Sequence, residues 1–518
     1  MTNAEKITQL RQMKEKIMLG GGADKIKKQH ELGKLTARER LNYLFDDGSF
    51  QEYNMFAKHR CTNFGMEKVS LAADGVITGF GTVEGRRVFA YAHDFTVMGG
   101  SAGEVHSHKI KQILDLAREA MVPCIGLFDS GGGRIQEGGD TCSPLVFRSN
   151  VMNSGVIPQI NAFMGPCAGA AVYSPALTDF IFAVDKTCHA HITGPKAIEK
   201  VTNEKIDSET LGGAMTHARI SGVVHKVGAD DRDCIDKIKE LLQYLPQNYR
   251  EKPAITDCTD NPYRRCEELN ELIPESPSKP YDMKKVILSI ADNHRFYEIQ
   301  EDYATNLITG LFRLNGQVVG VVANQPKFMA GCLDINASDK GARFIRTCDC
   351  FNIPLLSLVD TPGYLPGVAQ EYGGIIRHGA KLIYAWCEAT VPIVVCATRK
   401  VYGGAYAGMM ASEMEPDFSC AWVTTERAIM GADGAVNVLY RKEIKAAKDA
   451  GQDAEALRRK YVAEYEQEFM NPYRAAERMR FNDVIEPADT RRVLVQVFET
   501  FRNKDRRLPE KKHGNIPL

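Results

Sequence analysis

The chain has 518 residues, 44% of them hydrophobic and 25% charged, with a net charge of −1 at neutral pH. That length exceeds what one hydrophobic core supports and implies more than one domain. The near-zero charge supplies no field to recruit nucleic acid or an anionic membrane, so no nucleic-acid partner is expected.

Met1–Leu19 mixes Lys and Glu with apolar residues and lacks the apolar core of a secretory signal. No run approaches the ~18 apolar residues of a membrane span, so the chain reads as cytoplasmic. Glu5–Leu44 has helical spacing, and Thr36-Ala-Arg-Glu39 is spaced as a capping box ahead of Leu41 and Leu44. Arg87–Tyr91 then reads as a buried strand, followed by a glycine-rich loop, a helical stretch Glu104–Ala120 and a second strand Pro123–Phe128. Strand, helix and strand at this spacing imply a right-handed parallel crossover.

The same succession returns at Val318–Val322, Ser338–Cys350 and Pro354–Val359. A shift of 231 positions lays Gly75–Gly132 on Asn306–Gly363 without a gap, with about fourteen identities in 58 positions. Among them Ile77-Thr78-Gly79 falls on Ile308-Thr309-Gly310, Lys109 on Lys340, and Asp129 on Asp360. Two α/β domains of one fold are therefore expected, over 1–260 and 275–518. The stretch 244–280, rich in Pro, Asn, Asp and Glu, is expected to be a linker region. A further helical region spans about Val436 to Glu468.

Parallel α/β folds place function beyond the carboxyl ends of their strands. There the first half carries Asp129-Ser-Gly-Gly-Gly-Arg-Ile-Gln-Glu-Gly138, whose glycines let backbone N–H groups approach a ligand. A second loop follows in each half, Met164-Gly-Pro-Cys-Ala-Gly-Ala-Ala171 and Tyr402-Gly-Gly-Ala-Tyr406, between an apolar strand and a small-residue helix. Such loops can form a donor nest for a developing oxyanion. A tight turn that needs glycine only for sterics is the alternative reading of each. No nucleophile elbow or phosphate loop is present. The fourteen cysteines lack paired metal spacing, so reduced thiols and no metal site are expected, and each scattered histidine reads as structural.

At these loops the chain resembles the biotin-dependent acyl-CoA carboxyltransferase family. That family includes methylmalonyl-CoA decarboxylase α-subunits, propionyl-CoA carboxylase β-subunits and methylmalonyl-CoA carboxyltransferase subunits. The resemblance runs nearly end to end, through Leu35-Thr-Ala-Arg-Glu-Arg-Leu41, His59-Arg-Cys-Thr-Asn-Phe-Gly65, Ser130–Gly138, Met164-Gly-Pro-Cys-Ala-Gly169 and Ile192-Thr-Gly-Pro195. It continues through Ala330–Asp339, Pro362–Gly367, Gln370–Lys381, Tyr402–Tyr406 and Lys511–Leu518.

The resemblance implies two tandem crotonase-like domains related by internal duplication, assembled as a homo-hexamer with sites shared between chains. It implies transfer of carboxylate between biotin N1 and the α-carbon of a short acyl-CoA, propionyl- or methylmalonyl-CoA before others. Biotin would come on a separate carrier protein subunit, with a biotin carboxylase or a membrane decarboxylase subunit as further partner. Any membrane association would come through those subunits. The thioester oxygen is expected on Gly132 and Gly133, and the biotin ureido oxygen on Gly404 and Ala405. Ser130, Gly131, Arg134, Gly169, Ala170, Tyr406 and Ala407 are expected to line the substrate sites.

The chain departs from the usual pattern at Gly133 (for Ala), Ala102 (Leu in Gly-Ser-Leu-Gly-Glu), Ala170 (Gly) and Ala407 (Asp or a bulkier residue). Two other readings stay open at this point: the same chemistry on another short or polar acyl-CoA, and a biotin-independent crotonase-like enzyme. A non-catalytic scaffold that only binds acyl-CoA or a carrier protein is the third.

Overall fold

The computed structural model describes every residue except Pro277. The chain divides into two units, Met1–Lys252 and Pro253–Leu518.

In the first unit three helices, Asn3–Met18, Ala23–Glu31 and Ala37–Leu44, precede the sheet. The expected capping box starts the third: Thr36 Oγ1 accepts from Glu39 N, and the Glu39 carboxylate accepts from Thr36 N at 2.7 Å. The sheet is built from β1 (Gln51–Tyr53), β2 (Val76–Val83), β3 (Arg86–His93), β4 (Cys124–Ser130), β5 (Gln159–Ala168), β6 (Phe180–Val184), β7 (His189–His191) and β8 (Lys226–Gly228). Its order is β1-β2-β3-β4-β5-β6-β8, with β7 paired to the end of β5. The β1/β2 and β2/β3 pairs are antiparallel and the rest parallel. Helix Glu104–Ala120 makes the crossover from β3 to β4, burying Ile110, Ile113, Leu114 and Ala117 against the sheet core.

The second unit repeats this plan with β9 (Phe296–Ile299), β10 (Leu307–Leu314), β11 (Gln317–Asn324), β12 (Leu355–Thr361), β13 (Ile393–Tyr402), β14 (Phe418–Trp422), β15 (Glu426–Ala428) and β16 (Asp483–Ile485). Its order is β9-β10-β11-β12-β13-β14-β16, with β15 on β13. The bounds of β10, β11 and β12 are those of β2, β3 and β4 shifted by 231 positions, and the β-bulge at Phe128/Ser130 recurs at Val359/Thr361. β13 lies 234 positions after β5 and β14 lies 238 after β6, so an ungapped comparison ends between β4 and β5.

The shared lysine has a structural reason. Lys109 Nζ donates to the carbonyls of Ala73 and Val76, and Lys340 Nζ to those of Gln300, Tyr303 and Leu307, tying the crossover helix to the first strand of each repeat.

The stretch after Lys252 is not a free tether. Cys266 and Leu269 are buried in the core of the second unit, and Cys266 N donates to Ala488 O at 2.9 Å. Two apolar residues among many Asp, Glu and Asn carry no periodic signal, which is why composition alone marked a linker. The C-terminal helical region consists of helices Ala432–Leu439, Arg441–Asp449 and Ala454–Phe469. Among the described residues no helix is long and apolar enough to cross a membrane. The cysteines are unpaired, and eight of the fourteen are buried.

Candidate active site

The first strand-end loop is held from below by buried charge. Asp129, at the end of β4, accepts from Lys34 Nζ (2.8 Å), Gln29 Nε2 (2.9 Å) and Arg40 Nη1 (3.0 Å), and Arg40 Nε also pairs with Asp231 at 2.7 Å. Arg134, 1% exposed, reaches Asp74 and Glu137, each at 2.7 Å, and the Ser101 carbonyl at 3.0 Å. These bonds fix the path of Ser130–Gly138 and enclose both Nη atoms, while the buried Nε has no partner among the described residues. Arg134 positions the loop.

Two expectations in this loop are corrected. Ser130 Oγ donates to Gly100 O at 2.7 Å and accepts from Gly132 N at 3.2 Å. Gly132 is buried at φ +93°, and its carbonyl accepts from Ala102 N at 2.8 Å. Both polar groups of Gly132 are therefore used inside the protein, and its N–H is not a donor for a ligand. Gly131 is exposed, with its N–H on Gly99 O at 2.8 Å. Gly133 is exposed too, and its N–H meets no acceptor among the described residues.

The second loop supplies what Gly132 does not. Gly169 ends β5 at φ +58°, a left-handed conformation that turns the chain into helix Ala170–Ala176. Its own N–H goes to His191 O at 3.1 Å, so Gly169 is a hinge and not a donor. The first helical N–H groups, of Ala170 and Ala171, have no acceptor among the described residues. They carry the partial positive charge of the helix start and suit a developing oxyanion.

Behind these donors lies a cavity of about 30 Å3. Its wall includes Ala102, Phe128, Val146, Ala170, Ala171 and His93. One water needs ~10–15 Å3 on this measure, so the space suits a short chain of one or two carbons. Sequence reasoning missed Ala171, Ala102 as a wall residue, and His93. The available signal was the departure from Ser-Leu-Gly at Ala102, where a leucine side chain would stand in the cavity.

The second unit has the same scaffold and a different filling. Gly403 adopts φ +55°, as Gly169 does, and opens helix Gly403–Gly408. The N–H groups of Gly404 and Ala405 follow, again without acceptors among the described residues. A Cβ at Gly404 would meet nothing within 4 Å, so packing does not demand glycine there and a ligand can approach closely. Tyr406 is buried, its hydroxyl accepting from Ser412 N at 3.0 Å. Ala407 is half-buried on the same helix.

The bridge Ala102–Gly133 of the first unit recurs as Leu333–Tyr364. Those larger side chains reach Gly408, the counterpart of the cavity residue Ser174: a Cβ at Gly408 would lie 2.6 Å from the Tyr364 hydroxyl and 3.0 Å from Leu333 Cδ1. Leucine and tyrosine thus occupy the space that alanine and glycine leave open in the first unit.

The carboxyl transferase domain, as a family, matches residues 28–516. The chain belongs to that family. This carboxyl transferase is 53% identical to the methylmalonyl-CoA decarboxylase subunit alpha of Propionigenium modestum, over 99% of both chains. It is 52% identical to the propionyl-CoA carboxylase carboxyltransferase subunit of Haloferax mediterranei, over 100% of both. A solved transcarboxylase 12S structure, a hexamer assembly with methylmalonyl-CoA and methylmalonic acid bound, superposes with a TM-score of 0.97 at 49% identity. That match covers 100% of this chain and 99% of the other. The two units of this carboxyl transferase are accordingly two crotonase-like domains in tandem, as the resemblance implied.

Proposed function

We propose that this carboxyl transferase moves a carboxylate between biotin and the α-carbon of a short acyl-CoA, with the acyl thioester on the first unit and biotin on the second. The observation that carries the division is the unequal filling of one scaffold. Ala102 and Gly133 leave a cavity of about 30 Å3 behind the first unit's donors, where the second unit has Leu333 and Tyr364. Propionyl- and methylmalonyl-CoA fit a space of that size, and the names of the relatives point to the same pair.

Removing or adding carboxylate at the α-carbon makes the thioester an enolate, with its charge on oxygen. Ala170 and Ala171 N–H, with Gly133 N–H from the adjacent loop, are the donors we assign to that oxygen, replacing the pair Gly132 and Gly133. Fixed N–H groups need no reorganisation as charge develops, and losing one such donor costs about 3–4 kcal/mol.

Biotin fits the second unit by donor chemistry: the N–H groups of Gly404 and Ala405 stand at a helix start without acceptors among the described residues, and a Cβ at Gly404 would meet nothing within 4 Å, which leaves room for a ureido oxygen. Bound there, biotin supplies the nitrogen that carries the carboxylate. Gly404 and Ala405 hold its oxygen and orient it, which contributes through proximity.

The biotin would arrive on a carrier protein subunit, with a biotin carboxylase or membrane decarboxylase subunit as the further partner. We also propose a homo-hexameric core, after the solved relative. The test incubates the purified subunit with methylmalonyl-CoA labelled in its free carboxylate and with free biotin. Expected is label on biotin with release of propionyl-CoA in equal amount. Loss of carboxylate that does not depend on biotin would overturn the proposal.

A further inference from the structure

The cavity of the first unit is closed on most sides, and the residues at its rim decide what passes. Nine of its twelve lining residues are buried, and the three that reach the surface are Ala102, Ala170 and Phe147. The two alanines end in a single methyl, so Phe147 is the one large side chain of the rim. It comes from helix Ser143–Asn153, where Ser143, Val146 and Phe147 follow at i, i+3 and i+4 and share the face that lines the cavity.

That helix is pinned to the donor helix Ala170–Ala176. Ser174 Oγ donates to Asn150 Oδ1 at 2.8 Å, and Asn150 Nδ2 donates to Gln159 Oε1 at 3.0 Å. Between the two helices the rings of Phe147 and Tyr173 meet edge-on, with centroids 5.9 Å apart and planes at 67°. Tyr173 is 45% exposed, so the aromatic pair lies at the surface end of the cavity. The inner end offers no extension, because Ile110, Phe128 and Val146 belong to the buried core. An acyl chain too long for about 30 Å3 can therefore leave only over the rim.

We infer that Phe147 is a specificity residue, which limits the length of the acyl chain by closing the rim of the cavity. The inference rests on the reading that the first unit holds the acyl thioester. With the thioester oxygen on the donors of Ala170 and Ala171, the first carbons of the chain fall in the cavity. Later carbons have to displace the Phe147 ring, which its packing against Tyr173 resists. Shortening Phe147 removes that obstacle and keeps the donors, which are backbone groups.

The test is titration calorimetry on the full-length chain with propionyl-CoA and hexanoyl-CoA, in the wild type, Phe147→Ala and Phe147→Leu. The wild type is expected to bind propionyl-CoA about tenfold more tightly than hexanoyl-CoA. In Phe147→Ala the affinity for hexanoyl-CoA relative to propionyl-CoA should rise about tenfold, and in Phe147→Leu it should rise by less. Comparing the two ligands within one preparation cancels any loss of folded protein, and the leucine variant keeps an apolar side chain in the packing. Equal affinities in the wild type, or a ratio unchanged in both variants, would overturn the inference while leaving the acyl site in place. If propionyl-CoA binds no more tightly than coenzyme A itself, the acyl-site reading fails, and the inference with it.

Discussion

Arg134 shows how a loop of glycines can be rigid. Its guanidinium is fully enclosed between Asp74 and Glu137. Burial pushes the Asp74 carboxyl up, and Arg134 opposes that rise. Arg134→Met would strand two buried carboxylates, a cost of about 3–5 kcal/mol. A urea midpoint within a few tenths molar of wild type would contradict this placement. The buried histidines His93 and His106 give a second prediction. Unfolded, each takes up its proton near 6.5, whereas folded His93 does so only at about 4. Between those values the unfolded chain binds more protons, so stability falls as pH drops through that window. For His93 alone the difference is roughly 3 kcal/mol. Urea midpoints should decline from about pH 7 to about pH 4.5 and decline less in His93→Phe, whereas parallel curves would contradict the neutral buried pair. Residue roles were the least legible part of the sequence. The direction of the Gly132 N–H is set by one hydroxyl two residues earlier, and Arg134 finds its partner sixty residues away. Neither leaves a trace in spacing.

At the level of elements the repeat was legible, because a strand, a crossover helix and a strand must keep glycine, lysine and proline in register to rebuild one sheet. The similarity fades after β12 for a physical reason: the connection from β12 to β13 is three residues longer than that from β4 to β5. Ala102 sits where the second unit has Leu333, and Ala102→Leu should fill the cavity of the first unit. Close-packed walls make even one methylene felt. The expected result is a shift of kcat/KM towards propionyl-CoA over butyryl-CoA, by about tenfold for that methylene. Unchanged ratios would show that this cavity does not receive the acyl chain. The segment after Lys252 teaches the converse. Its composition marked a linker, yet Cys266 and Leu269 are core residues of the second unit, because two well-placed apolar side chains suffice to dock an otherwise polar strand of chain.

For the whole molecule, each unit offers one loop-and-helix set of unpaired N–H donors among the described residues, and the proposed transfer needs two ligands held together. An assembly of six 57.5 kDa chains would scatter light as a particle of about 345 kDa. A fully active monomer would contradict the proposed core. The division of labour between the units is tested most directly at Gly404. Gly404→Ala should leave the thermal midpoint unchanged, since its Cβ would meet nothing within 4 Å. Gly404→Pro removes the N–H itself, so it isolates the donor. The decisive measurement is carboxyl transfer to free biotin by Gly404→Pro, alongside its affinity for propionyl-CoA. Expected is a fall in transfer of about two orders of magnitude or more with acyl-CoA affinity unchanged. Loss of acyl-CoA affinity with transfer retained would contradict the assignment of the two units.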